Sequence, residues 1–169
     1  MERSIKNLAK DVILGVQTIG LGRQEERKGA NELLSKILEK EVKITHDENG
    51  KPVIQDYNIS ISHSKGYLAI LLSKALRVGI DIEYWSERIQ KIAKRFLHKD
   101  ENYTTTEDLL ITWCAKEAVY KLFSEEHLGY QDMKVDIERQ EVTNLKNNIS
   151  VKINITFHKD YIMVTTWLP

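Results

Sequence analysis

The chain has 169 residues, 41% hydrophobic and 30% charged, with Lys plus Arg and Asp plus Glu at 25 each. This length suits one compact domain or two small fused lobes, and the balanced charge excludes a global field directed at nucleic acid or a membrane surface. The single cysteine, Cys114, excludes an internal disulfide and a thiol-based zinc site. No apolar run approaches the ~20 residues of a membrane span. The stretch 12-VILGV-16 is too short for a secretory signal, and a cytoplasmic location is expected.

In chain order, 12-VILGVQTI-19 reads as a β-branched strand ended by Gly20 and Gly22. From Glu25 to Lys40, Ala30, Leu33, Leu34, Ile37 and Leu38 recur with helical spacing. The segment 41-EVKITHDENGKPVI-54 reads as a hairpin with Asn49-Gly50 as its turn. Strands are expected over 58-NISIS-62, 67-YLAILLS-73 and 77-RVGIDIE-83. In the last of these Val78, Ile80 and Ile82 share one face, and Asp81 and Glu83 share the other. A helix over Glu87–Phe96, a polar stretch, and a helix over Glu107–Phe123 come next. Strands at 133–138, 149–157 and 161–167 end the chain, the last two joined as a hairpin by 158-HKD-160. Helix with strands, twice over, predicts an α+β fold of two lobes, residues 1–75 and 76–169.

Four places carry candidate chemistry. Asp81 and Glu83, two apart on one strand face, can share a divalent ion, and hard ions such as Mg²⁺ prefer such oxygens. A bare D-x-E is more often a solvated face, but Gly79 beside it permits close approach by a ligand or another backbone. In 60-SISHSKG-66 alternation puts Ser60, Ser62 and Ser64 on one face, and His63 falls where the strand meets a turn. Lys51, between Gly50 and Pro52, is placed to meet a phosphate as a point charge, although lysines at hairpin tips often serve solubility. In 113-WCAKEAVYK-121, Glu117 and Lys121 stand one turn apart. The plain reading is a surface ion pair. The functional one makes Glu117 a third carboxylate around the ion and Lys121 the neutraliser of a metal-bound phosphate, with Trp113 and Val119 anchoring the helix from behind.

The ordered set 50-GKP-52, 58-NISISHS-64, 78-VGIDIE-83, 95-RFL-97 with Glu101, and 113-WCAKEAVYK-121 resembles the 4′-phosphopantetheinyl transferase superfamily, in its two-lobed, surfactin-type branch. The resemblance spans about residues 49 to 123. It implies two similar lobes in pseudo-twofold arrangement, each a small antiparallel sheet packed on a long helix, with the site in the cleft between them. It also implies an enzyme that moves the 4′-phosphopantetheine arm of coenzyme A onto a serine of an acyl or peptidyl carrier protein, releasing adenosine 3′,5′-bisphosphate. On that resemblance Asp81, Glu83 and Glu117 match magnesium-binding acids, and Glu117 also matches the group that draws the serine proton. Lys121 matches the lysine on the pyrophosphate. Lys51, Ser62, His63 and Lys116 fall at coenzyme A-binding positions. A serine needs such a base, and a departing phosphate needs its charge neutralised.

The chain departs from the pattern at Asn31, where the family usually has an arginine for the 3′-phosphate of the nucleotide, with Arg23, Arg27 and Lys28 nearby. The N-terminal lobe and the segment between Glu101 and Trp113 are shorter than in typical two-lobed members. A non-catalytic relative that binds a carrier or nucleotide is the alternative, consistent with Asn31 but not with intact Asp81, Glu117 and Lys121. A metal-dependent nuclease is disfavoured by neutral charge and the lack of a basic, aromatic-studded stretch. A monomer is expected, because fused lobes replace an inter-subunit cleft.

Overall fold

The computed structural model describes residues 1–169, and its architecture is α+β, built as helix, sheet, sheet, helix. The first sheet has the order β1 (Arg3–Ala9), β2 (Val12–Thr18), β6 (Tyr67–Ser73), β5 (Asn58–Ser64), all antiparallel. Helix α1 (Arg23–Leu38) lies on one face of it, where Ala30, Leu33 and Leu34 meet Ile59, Leu68, Ile70 and Leu72. The alternate residues of β6, Ala69 and Leu71, point the other way, so this strand is buried on both faces.

Those residues form the next layer. Together with Val12 and Leu14 they pack against Val78, Ile80 and Ile82 of β7 (Arg77–Tyr84) and Tyr161 and Met163 of β12 (Tyr161–Leu168). β7 and β12 pair antiparallel, with β11 (Asn154–Phe157) at the outer edge. Beyond this second sheet lies α3 (Thr106–Leu122), centre of the largest core, nineteen buried residues that include Phe96, Cys114, Ala118, Val119, Ile162 and Val164. Thr105 caps α3 by accepting a hydrogen bond from the Asp108 backbone N–H at 3.1 Å.

Two close approaches set the active face. Gly79 faces α3, and a Cβ there would stand 2.0 Å from the Ala118 carbonyl oxygen; the partner that glycine admits is therefore a backbone, which brings α3 down onto β7. On the other flank β5 lies against β7, and serine hydroxyls substitute for the missing backbone acceptors. Ser60, Ser62 and Ser64 Oγ accept from the N–H groups of Ile80, Ile82 and Tyr84 at 3.1, 3.1 and 3.2 Å. The serine face expected from alternation is thus the seam between the two sheets.

Several boundaries differ from the sequence expectation. β1 was not expected, because RSIKNLA lacks apolar alternation; it is a charged, mostly exposed edge strand, which protects a sheet edge from stray pairing. The 41–54 hairpin forms only two short strands, β3 (Thr45–His46) and β4 (Pro52–Val53). Its turn stands where expected, with Asp47 Oδ1 accepting from Asn49 and Lys51 N–H at 2.9 Å each and Gly50 at φ 79°. The single strand expected over 149–157 is two, β10 (Ile149–Lys152) and β11, because buried Ile153 breaks the run by donating its N–H to Gln140. β10 joins β9 (Glu141–Asn144) and β8 (Met133–Asp136) in a separate three-stranded sheet. Helix α2 (Ile89–Phe96) packs beside α3.

Candidate functional site

On β7, Gly79, Asp81 and Glu83 face α3. On α3, Trp113, Glu117 and Lys121 recur every fourth residue and so form one row. The two rows meet. Lys121 Nζ donates to Asp81 Oδ1 at 3.2 Å, to the Ile80 carbonyl at 2.8 Å and to the Ile61 carbonyl at 3.3 Å. Glu117 and Lys121 therefore do not form the surface pair that their spacing allows; the lysine reaches across to the strand. Trp113 Nε1 donates to Glu83 Oε1 at 3.1 Å. Its indole packs on the core around α3, edge-on to Phe96, and its N–H also reaches the acids, which the sequence expectation did not include.

Asp81 is buried, and Ser62 Oγ donates to its Oδ1 at 3.0 Å. Its other oxygen, Oδ2, is buried without any hydrogen-bond partner. Such an atom is costly to leave unpaired. Burial, helped by the charge of Glu117 and opposed by Lys121, raises the Asp81 carboxyl above its ordinary range. Glu83 is pushed up to about 7, first by burial and then by the Asp81 charge, against hydrogen bonds from Trp113 and Ser64. The acids repel one another and lack positive charge beyond Lys121.

The three acids do not form the closed cage that the sequence suggested: no group of three or more His, Cys, Asp or Glu stands close enough to hold a metal ion. Glu83 and Glu117 each have an oxygen held by an aromatic donor, Trp113 and Tyr130. What remains fits a hard divalent ion that takes one or two carboxylates and draws its other ligands from phosphate oxygens and water. The unpartnered Asp81 Oδ2 is the observation on which this fit rests.

His63 lies apart from the acids, exposed and 3.3 Å from Glu26. It lines a cavity of about 670 Å³ between α1, the 45–53 hairpin and β5, together with Arg23, Arg27, Asn31, His46 and Gly50. Asn31 ties the chain locally: its Nδ2 donates to the Arg27 carbonyl and its Oδ1 accepts from the Ile44 N–H. Lys51 is half-exposed and reaches over to Ser124 Oγ at 3.0 Å and Glu125 at 3.5 Å. Ser62 is buried, with its hydroxyl spent on Asp81 and Ile82.

Lys116 is corrected outright. It is fully buried, and its ammonium donates to Glu101 Oε2 at 2.8 Å, the Phe96 carbonyl at 2.7 Å and the Tyr130 carbonyl at 3.1 Å. With three donors all used inside the core, it has none for coenzyme A. A helix turns about 100° per residue, so the neighbour of Glu117 faces elsewhere. Its partner Glu101 also accepts from the His98 and Val135 N–H groups. Sequence spacing does not reveal Tyr130; it follows a 3₁₀ turn, Ser124–Glu126, and a short loop after α3, and no spacing rule connects it with Glu117.

A family model described as the 4′-phosphopantetheinyl transferase superfamily matches residues 77–166, from the start of β7 through most of β12. A comparison with curated proteins finds no match. The matched span exceeds half of the chain and contains Asp81, Glu83, Glu117 and Lys121, and the chain belongs to the 4′-phosphopantetheinyl transferase superfamily.

Proposed function

We propose that this chain transfers the 4′-phosphopantetheine arm of coenzyme A to a serine of an acyl or peptidyl carrier protein, in a Mg²⁺-dependent reaction that releases adenosine 3′,5′-bisphosphate. The observation that carries this reading is Asp81 Oδ2, a buried carboxylate oxygen without a partner beside Glu117, Glu83 and Lys121. Asp81 would hold the ion, with Glu83 and Glu117 as its other acidic neighbours. Bound Mg²⁺ supplies positive charge to the pyrophosphate, which weakens the bond to the leaving nucleotide.

The chain's own groups do the rest. The carboxylate of Glu117 accepts the serine proton as the serine Oγ–P bond forms and the P–O bond to adenosine 3′,5′-bisphosphate breaks. Lys121 gives up one of its three present acceptors to meet a pyrophosphate oxygen. The nucleotide end occupies the cavity lined by Arg23, Arg27, His46 and His63, where the two guanidinium groups suit phosphate; Lys51 turns to it from Glu125. The carrier meets the groove beside Glu83 flanked by Arg88 and Lys91, whose positive charge would suit an acidic face of that partner. Residues 1–75 and 76–169 act as two lobes of the surfactin-type arrangement, in a cytoplasmic monomer. No helix is long and apolar enough to cross a membrane.

The test incubates the protein with coenzyme A, Mg²⁺ and apo carrier domains from fatty-acid, polyketide and peptide synthesis, and follows adenosine 3′,5′-bisphosphate by chromatography. Release that requires the carrier serine is expected. Coenzyme A binding without release on any carrier would overturn the proposal in favour of a non-catalytic relative.

A further inference from the structure

Tyr130 opens the short 3₁₀ turn Tyr130–Asp132, beyond the end of α3. Its hydroxyl donates to Glu117 Oε1 at 2.9 Å. Its ring lies on that of Trp113, with centroids 5.4 Å apart and planes tilted by 34°. Trp113 in turn donates to Glu83, so two touching rings each hold one of the acids that flank Asp81. The tyrosine is itself fixed from beneath. Its carbonyl accepts from the buried Lys116, whose ion pair with Glu101 is inaccessible to water, and the preceding Gly129 N–H is held by Asp132 at 2.8 Å.

A glutamate on a helix has three side-chain torsions and, without a partner, wanders among rotamers. A hydrogen bond to one oxygen removes that freedom and makes the two oxygens unequal. We infer that Tyr130 is a positioning residue for Glu117: by occupying Oε1 from a ring packed against Trp113, with its backbone carbonyl held by Lys116, it presents Oε2 to the incoming serine hydroxyl. This rests on the reading of Glu117 as the group that accepts the serine proton. It also gives the buried ion pair a part in the reaction, since Lys116 acts on the site through the Tyr130 backbone without touching a substrate.

The test is Tyr130→Phe, which keeps the ring and its contact with Trp113 and removes only the hydroxyl. Carrier transfer is measured at saturating carrier with coenzyme A varied, in the wild type, Tyr130→Phe, Glu117→Asp and the double variant, with a thermal melt of each. A misplacement of about 1 Å costs on the order of a hundredfold, so kcat should fall ~ten- to hundredfold in Tyr130→Phe, with KM for coenzyme A within about twofold. In Glu117→Asp the shorter side chain no longer reaches the hydroxyl, and adding Tyr130→Phe should cost less than about twofold more. The melts of Tyr130→Phe and wild type should coincide within a few degrees. An active wild type with unchanged kcat in Tyr130→Phe overturns the inference. So does a loss as large in the Glu117→Asp background as in the wild type, or a loss that tracks a lowered melting temperature. An inactive wild type would instead refute the transfer reaction itself.

Discussion

Replacing Lys116 by Met separates a structural lysine from a ligand-binding one. The substitution keeps most of the volume but strands three acceptors: Glu101 Oε2, the Phe96 carbonyl and the Tyr130 carbonyl. Both charged side chains of the pair are almost wholly inaccessible, at 0% and 1%, so solvent cannot take over the lost bonds. Glu101 would still receive hydrogen bonds from the His98 and Val135 N–H groups, which lessens the damage without supplying a counter-charge. Removing one partner of a buried pair typically costs about 3–5 kcal/mol, a large share of the ~5–15 kcal/mol that holds a domain folded. Urea titration of Lys116→Met should show a loss of that size with an unchanged slope. The double variant Lys116→Met/Glu101→Leu should recover part of it, because no unpaired charge is left behind. Below its transition, folded Lys116→Met should bind coenzyme A as the wild type does by calorimetry. A variant as stable as the wild type but deficient in coenzyme A binding would refute the structural assignment.

Glu83 predicts a pH dependence of the metal-free protein. Its folded pKa, about 7, lies above its ordinary 4.5, so its contribution is fully present below the ordinary value and is lost as pH rises through about 7, by about 3 kcal/mol at most. In chelator the melting temperature of wild type should drop relative to Glu83→Gln between about pH 5 and 8; a constant difference would contradict the burial argument. Gly79→Ala places a methyl carbon 2.0 Å from the Ala118 carbonyl oxygen, and neither backbone can yield without separating α3 from β7. This variant should not fold, and a melt like that of the wild type would show that the close approach is misplaced. Arg27→Ala should weaken coenzyme A binding ~ten- to hundredfold, the value of one charge-assisted phosphate contact, and weaken dephospho-coenzyme A less. Equal loss for both ligands would move the 3′-phosphate away from that side chain.

The site's main axis was legible because it depends on two local periodicities. Strand alternation put Asp81 and Glu83 on one face of β7, and four-residue spacing aligned Trp113, Glu117 and Lys121 along α3. Gly79 announced that something would approach closely, and the structure makes it α3. What was not legible depends on partners distant in sequence. The alternation of Ser60, Ser62 and Ser64 was visible, but not that the β7 backbone 20 residues later would use their hydroxyls as acceptors. Lys116 falls by resemblance at a coenzyme A-binding position, but one helical step from Glu117 turns it toward Glu101. Tyr130 reaches Glu117 only because a turn reverses the chain after α3, and β1 has too little apolar patterning to announce an edge strand.

The most direct test of the central claim is intact-mass spectrometry of an apo carrier protein incubated with coenzyme A, Mg²⁺ and either the wild-type chain or Glu117→Ala. The account predicts that the carrier gains one phosphopantetheine with the wild type and stays apo with the variant, while both proteins melt alike. An unmodified carrier with the wild type, or a carrier modified equally well by Glu117→Ala, would contradict it.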